Sequence, residues 1–121
     1  MRRLTDDSEK QLVHDCQTLL NLTEPPMGYL ELISQRGGKG SGTSLGAPDG
    51  ILHVGGATLV IEFKRADGRL SKWQQLARKC RSEHGVETHV VRDVGDFALL
   101  VNGRRKEAWR ARSVRSATME P

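Results

Sequence analysis

The chain has 121 residues, 36% apolar and 28% charged, with a formal net charge of +4. That suffices for one domain around a single modest core, and no apolar run approaches the roughly 20 residues that span a bilayer. No apolar leader follows Met1-Arg2-Arg3, so a cytoplasmic location is expected, with no membrane partner.

The first predicted element is a helix from about Asp6 to Asn21. Leu12, Cys16, Leu19 and Leu20 recur at helical spacing, and Val13 widens the stripe. Asp6 and Glu9 have capping-box spacing, a structural role for Glu9 that competes with any chemical one. Asp15 sits among solvent-facing neighbours. Pro25-Pro26 ends the element. Met27 to Ser34 then reads as a strand, with Tyr29, Glu31 and Ile33 on one face and Leu30 and Leu32 on the other.

From Arg36 to Gly46 the chain is a loop rich in glycine with Lys39 inside it. A phosphate-cradling loop would need Gly-Lys-Ser/Thr opening a helix. Here Gly40 follows Lys39 and the loop leads into Pro48-Asp49, so no nucleotide cofactor is expected. Arg36 and Lys39 are either available to phosphates at a neighbouring site or part of a plain surface connection.

Ile51 to Val54 and Ala57 to Lys64 read as a hairpin about Gly55-Gly56. Counting outward from the turn sets Val54 opposite Ala57 and Asp49 opposite Glu62. Directly opposed residues share a face, with Cβ atoms roughly 5 Å apart, and Lys64 shares that face with Glu62. Ala57, Leu59, Ile61 and Phe63 take the core face. Two carboxylates so close repel each other. A hydrated Mg²⁺ or Mn²⁺ relieves the conflict, because hard cations are commonly held by one or two carboxylates plus phosphate. Lys64 would stand beside the metal as a fixed positive charge or a water-orienting donor. The plain alternative is a surface hairpin with a cross-strand Glu–Lys arrangement; the opposed Asp49, the Pro48 before it and the later Gln74 weigh against it.

The chain turns at Asp67-Gly68, and a helix follows from about Lys72 to His84, capped by Ser71 and closed by Gly85. Trp73, Leu76, Ala77 and Cys80 make its expected buried stripe, with Arg78, Lys79 and Arg81 on the solvated side. Gln74 is the N3 residue of a Ser-x-x-Gln capping box; it serves a site as well only if its amide faces that site rather than folding back on the cap. Cys16 and Cys80 are expected as two buried thiols, with no Cys or His at zinc-ligand spacing. Val86 to Val91 reads as a strand, and Asp96 as the N-cap of a short helix closed by Gly103. Residues 1–101 carry 13 Lys/Arg against 13 Asp/Glu, and 102–121 carry 6 against 2. Residues 104–121 thus read as a basic, flexible tail, either solubilising or a source of sequence-independent phosphate contacts. Trp109 would be an anchor or a stacking residue within it.

The series Gly46-Ala47-Pro48-Asp49, Ile61-Glu62-Phe63-Lys64, Gly68, Leu70-Ser71 and Gln74, between about Glu9 and Phe97, resembles the VRR-NUC branch of the PD-(D/E)xK nuclease superfamily. The resemblance implies an α/β, restriction-endonuclease-like core of order αβββαβα over residues 1–103, its mixed central sheet flanked by helices. It implies Asp49, Glu62 and the Phe63 backbone carbonyl as ligands of Mg²⁺ or Mn²⁺, Lys64 as catalytic, and Gln74 and Glu9 as further site members. Stand-alone domains of this kind in viruses and bacteria work as homodimers on branched DNA. A metal-dependent endonuclease of the Holliday-junction-resolving type is therefore the first expectation, with flap cleavage or general nicking beside it. Arg36, Lys39, Arg65, Arg104, Arg105 and Lys106 are candidate DNA contacts. The rival from another class is a non-catalytic DNA-binding module, against which the intact Asp49, Glu62 and Lys64 weigh.

Overall fold

Gly55 and Gly56 have φ of 57° and 80°, the left-handed pair that a tight two-residue hairpin turn demands and that glycine reaches without steric cost. Around them β2 (Gly50–Val54) and β3 (Ala57–Phe63) pair antiparallel, Val54 opposite Ala57 and Gly50 opposite Ile61. The structure, a computed structural model, describes the backbone of residues 4–33 and 46–119 and the side chains of 8–33 and 46–113. Strand β1 (Tyr29–Leu32) joins β2 antiparallel, and β4 (Thr88–Val91) joins β3 in parallel, giving the sheet order β1-β2-β3-β4. Helices α1 (Leu4–Leu20), α2 (Lys72–Glu83) and α3 (Val94–Met119) complete an α/β unit of order αβββαβα. No helix among the described residues is long and apolar enough to cross a membrane.

One sheet face carries the core. Leu30, Leu52, Leu59, Ile61, Phe63 and Val91 pack with Leu12, Cys16 and Leu20 of α1 and with Phe97 and Val101 of α3. Each such large side chain taken out of water stabilises the fold by roughly 1.5–3 kcal/mol. Side chains alternate along a strand, so Glu62, between Ile61 and Phe63, points to the opposite face, where α2 lies.

Three expectations are corrected. The last helix does not start at Asp96 or stop at Gly103. Asp93 is its cap, accepting from the Asp96 N–H at 2.8 Å, and α3 runs unbroken to Met119. Gly103 is absent from the glycines with positive φ, so it lacks the left-handed conformation that closes a helix, and the good helix formers after it propagate the turn. The basic segment is thus helical to Met119 rather than a tail hanging from Gly103. In α1, Asp6 lies inside the helix rather than at its cap, which removes the capping-box reading of Glu9. In α2 no residue is buried: Trp73 is 52% and Leu76 46% exposed, and Cys80 is an exposed thiol, whereas Cys16 is buried as expected.

The hairpin turn abuts α3, since a Cβ on Gly55 would meet the Arg104 carbonyl at 2.7 Å, whereas one on Gly56 meets nothing within 4 Å. Gly56→Ala is expected to cost only the backbone penalty, about 1 kcal/mol, and Gly55→Ala distinctly more. Urea denaturation of the two variants checks this; equal losses would mean that the turn does not bear on α3.

Candidate metal centre

The site is built where β2 begins and β3 ends. Asp49 precedes β2, and its carbonyl accepts from the Ile33 N–H at 2.9 Å, extending the β1–β2 ladder by one pair. Its carboxylate Oδ2 accepts from the Phe63 N–H at 2.8 Å, which ties the two strand ends together where the register predicted Asp49 and Glu62 to meet. The approach to Asp49 depends on Gly46, whose φ is +78°; a Cβ there would run into the Trp73 carbonyl of α2.

Glu62 is 0% exposed. Its Oε1 accepts from Gln74 Nε2 at 3.3 Å. Its Oε2 is buried without a hydrogen-bond partner, and the nearest cation is the Arg81 guanidinium at 3.9 Å, beyond hydrogen-bonding range. Burial first, the neighbouring Asp49 charge second and a hydrogen bond that the protonated carboxyl makes with Asp49 push Glu62 up to about 7, while Arg81 and Lys64 pull it back. Lys64 follows β3 on the same side as Glu62, half-buried, and its N–H donates to Val91 at 3.0 Å.

Gln74 fills both of the roles that had looked exclusive. Its Oε1 accepts from the Ser71 N–H at 2.8 Å while its own N–H donates to Ser71 Oγ at 3.1 Å, a complete capping box. The amide nitrogen remains free to reach Glu62. The cap therefore fixes the amide in the orientation that donates to the carboxylate.

This arrangement explains the inverted helix. Gln74, Ala77 and Arg81 recur at i, i+3 and i+7 and share one face. Gln74 and Arg81 turn toward Glu62, Arg81 Nε also donates to Thr88 Oγ1 at 2.9 Å, and Ala77 lies beside Gly46. Trp73, Leu76 and Cys80 are thereby rotated outward. Arg81, expected on a solvated face, is the principal residue that sequence reasoning missed; its position two helical turns from Gln74 was the available signal. Arg92 was missed as well. Following β4, its Nη1 donates to the carbonyls of Arg65, Ala66 and Gly68 at 3.0, 3.4 and 2.6 Å, clamping the loop between Lys64 and α2.

The remaining candidates separate. Glu9 is half-buried on α1 and makes no hydrogen bond or ion pair with Asp49 or Glu62. Arg65 lies next to Lys64, exposed and paired with Asp67 at 3.0 Å. Arg104 is engaged by Glu87 at 2.6 Å and Glu107 at 3.6 Å. With Arg105 and Lys106 it lies at the turn end of the hairpin, roughly 17 Å along β3 from Glu62 at ~3.3 Å per residue. Arg36 and Lys39 lie outside the described residues.

Among the described residues no cluster of three or more His, Cys, Asp or Glu side chains is assembled, so a closed zinc-type cage is not formed there. A Mg²⁺-type ion needs less, one or two carboxylates with waters and phosphate completing the shell. Asp49 and Glu62 fit that requirement, because the buried, unpartnered Glu62 Oε2 is an acceptor that a cation would satisfy. The chain matches no protein-family model, no curated protein and no solved structure.

Between 4.5 and about 7 the folded Glu62 keeps a proton that the unfolded chain has released. The contribution to stability is therefore full at low pH and is lost as pH rises through about 7. Relative to Glu62→Gln, the metal-free wild type is expected to lose up to about 3 kcal/mol between pH ~5 and ~8. Arg81→Met, lacking one lowering charge, should move the midpoint upward. Denaturant titrations in chelator measure all three proteins; a constant difference between wild type and Glu62→Gln across that range would refute the buried-carboxyl account.

Proposed function

We propose that the protein is a Mg²⁺- or Mn²⁺-dependent deoxyribonuclease that hydrolyses phosphodiester bonds, with a restriction-endonuclease-like core of the VRR-NUC kind. The observation that carries this reading is the fully buried Glu62 carboxylate with an unpartnered oxygen, set beside Asp49 and Lys64 at one strand end. Surface ion pairs do not need such burial, and ionising a buried carboxyl that is only partly compensated costs free energy that a bound cation would offset.

Asp49 and Glu62 would hold the ion, with the Phe63 carbonyl between Glu62 and Lys64 as a further ligand. When bound, the ion supplies an activated water and neutralises charge on the phosphate. The chain's own residues do the rest. Glu62 gives up its proton when it becomes a ligand, so metal affinity rises with pH up to neutrality. Gln74, locked by Ser71, holds the Glu62 carboxylate in one orientation. Lys64 would orient the attacking water or face the developing negative charge.

Branched DNA, including four-way junctions, is the proposed substrate, cut by a homodimer whose two-fold symmetry presents two sites. The outward Trp73 and Leu76 of α2 offer apolar surface for a second copy. The alternative is a DNA-binding module without catalysis, favoured by one observation: Arg81 already offsets part of the Glu62 charge.

Labelled four-way junctions, flaps, nicked duplexes and linear duplexes incubated with Mg²⁺ or Mn²⁺ distinguish these readings. Cleavage of the junction is expected. Glu62→Ala or Asp49→Ala should lose a hundredfold or more, on the order of several kcal/mol of transition-state stabilisation. Gln74→Ala should lose roughly 10- to 100-fold. No cleavage of any substrate, or undiminished cleavage by Glu62→Ala, would sink the hydrolytic reading in favour of simple binding. Sedimentation of wild type and Leu76→Glu tests the dimer, which the variant is expected to weaken.

A further inference from the structure

At the other end of the hairpin, α3 passes the Pro25-Pro26 turn and leaves a groove of about 870 Å³ between them. Arg105, Lys106, Arg110 and Arg112 line it, and no acidic side chain does. Among the described residues none of these four cations has an ion-pair partner, in contrast to Arg104, which Glu87 and Glu107 occupy. Trp109 also lines the groove and is 64% exposed.

The rotation of the helix is fixed by packing. The Arg104 carbonyl and Ala108 Cβ lie against Gly55, which turns the neighbouring face toward the groove. Arg105, Trp109 and Arg112 recur there at i, i+4 and i+7. Trp109 thus lies one turn from Arg105 and one turn from Arg112 along that face, and Lys106 and Arg110, also four apart, line the same groove. An exposed indole costs solvation with nothing gained in the core, since Trp109 belongs to no part of the buried cluster.

We propose that this groove binds a single-stranded nucleic-acid segment, one base stacked on Trp109 and its phosphates held by Arg105, Lys106, Arg110 and Arg112. Interleaved cations and an aromatic ring are the chemistry that takes unpaired strands, because every base has a π-face and every linkage a negative charge. A duplex keeps those π-faces stacked inside. An anionic bilayer calls for a broad apolar face on the helix, whereas here the apolar lining of Trp109, Ala108, Met27, Pro25 and Pro26 is a groove interleaved with four cations. The site stands independently of the metal centre, since it lies at the opposite end of β3 from Glu62 and uses neither Asp49, Glu62, Lys64 nor Gln74.

Trp73 and Trp109 are the two tryptophans of the chain, so Trp73→Phe leaves Trp109 as the reporter. Titrations in chelator, where hydrolysis plays no part, would use a ten-nucleotide oligothymidine, a duplex of ten base pairs, inorganic polyphosphate and phosphatidylserine vesicles. Oligothymidine is expected to quench Trp109 saturably, with a log–log salt slope of about −3 for four released counterions. Arg105→Gln with Arg112→Gln should flatten that slope by about 1.4. In otherwise wild-type protein, Trp109→Leu should weaken binding of labelled oligothymidine roughly tenfold. Absence of quenching, undiminished binding by Trp109→Leu, or equal affinity for the duplex, polyphosphate or vesicles would overturn the proposal. These titrations read binding in chelator and the cleavage assays read hydrolysis with metal, so failure here and failure of the metal centre are separately visible.

Discussion

A carboxyl group sealed from water governs this half of the molecule. Glu62 is fully buried on the sheet face opposite the hydrophobic core, and a polar group in that position must find partners among its neighbours. Helix α2 supplies them, and in doing so gives up the ordinary rule that the apolar side of a helix faces inward. Gln74 and Arg81 go in, Trp73 and Leu76 go out. The other fixed points serve the same end. Gly46 allows the strand entry to pass against the backbone of α2, and Arg92 holds the intervening loop by three carbonyls.

How much of this was legible depends on the range of the interactions. The hairpin was readable because strand alternation has an exact period and the Gly-Gly turn sets the register, so Asp49 and Glu62 could be paired by counting. The Ser71–Gln74 cap was readable because it is local. The orientation of α2 was not, because helical spacing offers two faces, an apolar one through Trp73, Leu76 and Cys80 and a polar one through Gln74, Ala77 and Arg81. Choosing between them required knowing that the strand beneath presents an acid rather than an aliphatic side chain. Gly103 misled for a related reason: glycine ends a helix only when it adopts positive φ, and nothing in its type reveals whether it will.

The fold also divides its charge. Around Glu62 the three arginines are engaged, Arg81 with Thr88 and the carboxylate, Arg92 with backbone carbonyls and Arg65 with Asp67, and Lys64 stands beside the carboxylate. On α3, Arg105, Lys106, Arg110 and Arg112 have no ion-pair partner among the described residues, whereas Arg104 has two. The turn glycines join these regions mechanically, since the same hairpin carries Glu62 near one end and rests against Arg104 and Ala108 at the other.

The hydrogen bonds that assemble the candidate centre span short stretches of chain, 14 residues from Asp49 to Phe63 and 12 from Glu62 to Gln74. Loops of that size close at little entropic cost, and contacts so close in sequence favour rapid formation. The Arg92 clamp reaches back 24 to 27 residues, and α1 must return from the start of the chain to complete the core. Those lengths favour α2 closing over Glu62 before α1 completes the core on the other face of the sheet. Glu62 would then meet the choice between a proton and a counter-charge early, while the far face of its strand is still open to water.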